Sequence, residues 1–116
     1  MKILFASDIH GSAYYCRRLL DIYKETKASR MVILGDILYH GPRNDLPKEY
    51  APKEVIAMLK PLKDQIYAVR GNCDTEVDQM VLQFPILADY ALLVLDGKTF
   101  YATHGHVFNQ DHLPPM

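Results

Sequence analysis

Between Ile3 and Asp36 the chain runs from an apolar stretch through a helix-period stretch to a second apolar stretch, and this order leaves few folds open. Ile3-Leu4-Phe5-Ala6 is short, apolar and closed by polar residues, as a buried strand is. Residues 12–27 place Cys16, Leu19, Leu20 and Tyr23 at spacings i, i+3, i+4 and i+7, with Ser12 positioned to cap the helix they describe. Met31-Val32-Ile33-Leu34 then reads as a second strand. A strand–helix–strand unit is right-handed, so its two strands lie parallel with their carboxyl ends on one edge of a sheet. The expectation is an α/β fold. At 116 residues it is a single domain with one core of ordinary size.

The remainder extends that plan. Residues 37–51 have no period and hold Gly41, Pro42, Asn44 and Pro47, so a long loop is expected. Pro52 suits the first turn of a helix whose apolar face is Val55, Ile56, Leu59 and Leu62, with Pro61 near its end. Ile66-Tyr67-Ala68-Val69 gives a third strand and residues 75–84 a short helix. Residues 91–95 and 98–103 flank Asp96-Gly97, the strongest hairpin signal in the chain. The tail from Asn109, with Pro114-Pro115, has no evident order.

Four of the strand candidates are followed within a few residues by side chains able to hold a metal: Asp8 and His10, Asp36, Asn72, and His104. In open α/β sheets ligands bind at the carboxyl ends of the strands, so residues far apart in sequence are expected to converge there. Taken singly, each has an ordinary structural reading, such as a turn Asp or a strand-end His; their joint placement favours a site. Carboxylate, imidazole and amide oxygen together suit Mn²⁺, Fe²⁺ or Zn²⁺ better than Ca²⁺ or a thiolate site. A net charge of -1 gives no electrostatic reason to expect nucleic acid or an anionic membrane as partner. No apolar stretch reaches the roughly 20 residues that span a bilayer, the first apolar run is too short for a signal-peptide core, and two cysteines fit a reducing compartment. A cytoplasmic location is the expectation.

Asp8-x-His10, Gly35-Asp36, Gly71-Asn72-x-Asp74 and His104-Gly105-His106, in this order, resemble the calcineurin-like metallophosphoesterase superfamily. The strings ASDIHGS, VILGDILYHGPRNDLP and VRGNCDTEVDQM are similar to its bacterial phosphodiesterases. The resemblance implies a β-sandwich flanked by helices and a site for two divalent ions, with Mn²⁺ preferred and Fe²⁺ or Zn²⁺ the alternatives. It assigns Asp8 and His10 to one ion, Asp36 to both, and Asn72 and His104 to the other. The activity implied is that of a phosphoric diester hydrolase, in which a hydroxide bridging the metals attacks a small phosphodiester.

Two departures from the family pattern qualify that expectation. Cys73 stands where many members have a histidine that assists the leaving group, so aryl leaving groups of low basicity are expected to be preferred, with Asn72 beside it in the catalytic set. The family's Gly-His-x-His motif is absent after His106; only His112 follows, so residues 1–116 read as a C-terminally incomplete domain lacking the last strands. Arg43 and His106 are the candidates for contacting substrate. A homo-oligomer is compatible with the sequence. The rival reading is a non-catalytic metal-binding or protein-interaction scaffold derived from the same fold; a nuclease lacks the basic stripe it would need.

Overall fold

The computed structural model describes residues 2–40, 45–95, 97–107 and 111. In chain order they form β1 (Ile3–Ala6), α1 (Ala13–Thr26), β2 (Arg30–Ile33), α2 (Pro52–Leu59), a 3₁₀ turn (Lys60–Gln65), β3 (Ile66–Ala68), α3 (Glu76–Leu82), β4 (Tyr90–Leu95) and β5 (Lys98–Thr103). Strands β1, β2 and β3 make a parallel sheet in that order, with Phe5 opposite Val32 and Val32 opposite Tyr67. Strands β4 and β5 pair antiparallel from Tyr90–Thr103 to Leu95–Lys98. No helix among the described residues is long and apolar enough to cross a membrane.

The period-2 alternation of the parallel strands divides the molecule into layers. Met31, Ile33 and Ile66 face one way and are buried with Cys16 and Tyr23 of α1, Val55 and Leu59 of α2, and Leu82 of α3. Val32 and Val69 face the other way, where Ala102, Ala91 and Leu93 of the β4–β5 hairpin cover them. Each fully buried Ile or Val in these layers contributes about 1.5–3 kcal/mol. The result is helices on one face of a parallel sheet and a hairpin on the other, an α/β sandwich as expected. The hairpin covers that face incompletely: Phe5 and Tyr67, which flank Val32 in register, remain 45% and 46% exposed.

Helix starts follow the local chemistry. The Ser12 hydroxyl accepts from the Tyr15 N–H, and Pro52 occupies the first turn of α2. Thr75 and Asp78 form a reciprocal capping box at α3. At Pro61 the helical path tightens into the 3₁₀ turn before β3.

Candidate metal centre

The residues after β1, β2, β3 and β5 meet at the carboxyl edge of the parallel sheet. The loop after β1 is zipped to the loop after β2 by three backbone bonds: Asp8 N–H to Gly35 O (3.1 Å), His10 N–H to Asp36 O (2.9 Å) and Gly11 N–H to Ile37 O (2.8 Å). Turning the chain this sharply puts Asp8, His10 and Asp36 in the left-handed region, with φ of 60°, 51° and 56°. Non-glycine residues are uncommon there, and Asp and His are among those that tolerate it best.

Asp36 sits at the middle. Its side chain is only 2% exposed, and its Oδ2 lies 3.6 Å from His10 Nε2 and 3.3 Å from His104 Nε2. Its Oδ1 accepts the Cys73 N–H at 2.8 Å. The Asp36 and Ile37 N–H groups donate to Asp74 at 2.7 and 3.1 Å, and the Gly71 N–H donates to the same carboxylate at 2.7 Å. Asp74 thus ties the loop after β2 to the loop after β3. The approach is so close that a Cβ on Gly71 would overlap Asp36 Oδ1 and sit 2.7 Å from the Asp36 nitrogen. Only glycine fits at 71.

The two histidines are oriented from behind. His10 Nδ1 lies 2.8 Å from Tyr39 O, and His104 Nδ1 lies 2.7 Å from Leu34 O. A carbonyl only accepts, so each Nδ1 carries a proton, and in the neutral imidazole Nε2 presents its lone pair inward. Those lone pairs face carboxylate oxygens: Asp36 Oδ2 for both, and Asp8 Oδ1 at 3.1 Å for His10. Lone pairs gathered this closely repel unless a proton or a cation lies among them, and backbone carbonyls behind ligating histidines are the usual partners. Two groups of donors, each within 4.8 Å of one another, satisfy the second case: Asp8, Asp36 and His104; and His10, Asp36 and Cys73. Asp36 belongs to both. The residues present therefore fit a divalent cation.

The charges respond to the crowding. Burial, with the Asp8 and Asp74 carboxylates beside it, pushes the Asp36 carboxyl above the ordinary range. Burial acts to raise Asp8 as well, but hydrogen bonding with Ser7 and Asp36, and the facing His104 and His10, hold it below that range. Cys73, buried and ringed by the carboxylates of Asp36, Asp74 and Asp8, is pushed up and stays a thiol.

The structure brings together Asp8, His10, Asp36, His104 and Cys73 of the residues singled out in the sequence. Asn72 is exposed on the turn between Gly71 and Cys73, adjoining the group. His106 is exposed, its ring edge-on to His104 with centroids 5.4 Å apart, and belongs to neither donor group. Arg43 and His112 lie outside the described residues, as does Asp96 of the expected hairpin turn. Asp74, the last residue of Gly71-Asn72-x-Asp74, has a part that the motif does not announce: it accepts three backbone N–H groups. Its spacing two residues beyond Asn72, in a glycine turn, was the available signal.

Comparison with known proteins identifies the family and the fold. The calcineurin-like phosphoesterase family matches residues 1–115. Phosphodiesterase YfcE of Escherichia coli strain K12 and that of Escherichia coli O6:H1 are each 48% identical over 116 residues, which is all of this chain and 63% of theirs. The solved structure of Yfce, described as a phosphoesterase from E. coli, superposes with a TM-score of 0.96 at 48% identity, over 100% of this chain and 64% of that one. The chain thus spans just under two thirds of the length of the relatives it matches.

Proposed function

The chain belongs to the calcineurin-like phosphoesterase family, and from that premise we propose that it is a metal-dependent phosphodiesterase acting on small phosphodiesters. The supporting observation is the pair of imidazole Nε2 atoms within 3.6 Å of one buried Asp36 oxygen, each with its Nδ1–H committed to a backbone carbonyl. On this reading Asp8 and His10 would hold one divalent ion and Asn72 and His104 a second, with Asp36 shared; proximity alone instead sets His104 with Asp8 and His10 with Cys73, Asp36 again common to both. Mn²⁺ is the expected metal and Fe²⁺ or Zn²⁺ the alternatives, since carboxylate and imidazole predominate among the donors. Divalent ions bound there supply Lewis acidity toward phosphoryl oxygens and an acidified water.

The chain's own residues do the positioning. The Tyr39 and Leu34 carbonyls keep both imidazoles in the tautomer that ligates. Asp74 holds the Asp36 backbone and the Gly71 turn in place, and with the latter the start of the Asn72 segment. On this reading Cys73 is not a ligand: its thiol, pushed up by burial and the carboxylates around it, is a poor acid toward a basic leaving group, so aryl diesters are preferred over alkyl ones. His106 is the proposed substrate contact, exposed two positions beyond His104.

The test is hydrolysis of bis(p-nitrophenyl) phosphate with added Mn²⁺ by the wild-type chain and by Asp36→Ala. Turnover by the wild type alone supports the reading. Equal rates for the two proteins overturn it, and Mn²⁺ binding by calorimetry without turnover points to the scaffold reading instead.

A further inference from the structure

A second hollow lies away from the metal centre, between the C-terminal half of α1 and the α2–3₁₀ segment. It has a volume of about 340 Å³, within the range of small-molecule sites. Leu20, Met58 and Leu62 supply its apolar walls, and Tyr23, buried and donating to Gln65 Oε1 at 2.8 Å, closes its floor. Lys24 and Lys27 stand on the rim, both exposed. Neither ammonium forms an ion pair among the described residues.

The combination departs from an ordinary helix–helix seam. Lys24 in the last turn of α1 and Lys27 at its C-cap offset the negative end of the helix dipole, so the backbone there does not repel an anion as strongly as a bare terminus would. The adjoining hollow shares Leu20, Lys24 and Met58 and adds Arg18. Both acids that line it, Glu49 and Asp21, act on Arg17, and Glu49 pairs with it directly. Cations therefore prevail along this trough in a chain whose net charge is -1.

We infer that the hollow between α1 and the α2–3₁₀ segment binds a small amphipathic organic anion: a compact apolar or aromatic body against Leu20, Met58 and Leu62, with its anionic group between Lys24 and Lys27. Charge complementarity selects the anion, and the volume limits its body to about three rings. The site does not depend on the metal centre.

The probe is 8-anilino-1-naphthalenesulfonate, titrated into the wild-type chain with the Met58 methyl resonance as readout, assigned through Met58→Leu. The apolar hairpin face is free to bind the same dye, so fluorescence alone does not locate it. The expected result is a saturable shift of the Met58 methyl, with affinity falling about tenfold in K24E/K27E and falling as salt screens the lysines. The uncharged analogue N-phenyl-1-naphthylamine is expected to bind both proteins alike. An unmoved Met58 methyl, affinity indifferent to salt and to the lysine changes, or an equal loss for the uncharged analogue overturns the inference.

Discussion

Asp36 and Asp8 both follow a strand, both lie in left-handed backbone, and both face His10 Nε2, yet they are held in different ways. Asp36 is 2% exposed at the side chain and anchored by the Cys73 amide, with the Asp74 carboxylate gripping its backbone. Asp8 is 51% exposed and held by the Ser7 hydroxyl and its loop's bond to Gly35. The inner half of the centre is part of what makes the sheet edge fold. The outer half is laid on top of it. Substitutions on the inner side should therefore change stability and chemistry together, and those on the outer side chemistry alone.

The largest expected effect comes from Asp36→Asn, which removes the charge both donor groups share. Turnover with Mn²⁺ should fall by about 10³-fold or more, roughly 4 kcal/mol in the barrier. The metal-free protein should respond in the opposite sense. Because the folded Asp36 carboxyl lies above its ordinary range, its stabilising contribution is present at low pH and is lost as pH rises through the folded value. The variant should match the wild type near pH 4 and gain on it toward pH 8, read from thermal melts with chelator. A wild type that stays ahead at pH 8 would break the contrast.

Next is Asp74→Ala, which strips three buried N–H groups of their acceptor and should cost about 3 kcal/mol in urea unfolding. A loss under about 1 kcal/mol would mean that water replaces the carboxylate and the inner half is less built-in than described. On the outer side, Asp8→Asn should weaken Mn²⁺ binding about 10- to 100-fold by calorimetry, while the metal-free protein keeps its stability within about 0.5 kcal/mol. Ser7→Ala is the smallest: losing one exposed donor to Asp8 should cost about 0.5 kcal/mol, a two- to three-fold loss of Mn²⁺ affinity.

The same contrast explains what could be read from the sequence. Helix α1 was legible because its apolar residues recur with a clean period, and strands β1, β2 and β3 because they are short unbroken apolar runs, with Gly-Asp, Gly-Asn and His-Gly marking where strands stop. Position at a strand end then sufficed to nominate Asp8, His10, Asp36, Asn72 and His104. The layer assignment of the hairpin was not legible from pattern alone: Leu92, Val94 and Tyr101 are exposed while Ala102 is buried, so residue type misreports the inner face of β4 and β5. The anchoring contacts were equally hidden. Tyr39 and Leu34 hold the histidines through backbone oxygens, which every residue possesses, and no side-chain motif announces them. Asp74 looked like one more turn carboxylate, because a carboxylate's partners are set by three loops folding together.

The left-handed backbone at positions 8, 10 and 36 restricts which amino acids those sites can accept, independently of metal chemistry. Glutamate is as good an oxygen donor as aspartate, but Asn, Asp, His and Gly are enriched at positive φ, long side chains such as Glu49 at φ 50° enter it less often, and β-branched residues are outliers there. A library randomised at these three codons and sorted for folded protein alone should already be narrowed toward that short alphabet before any selection for activity.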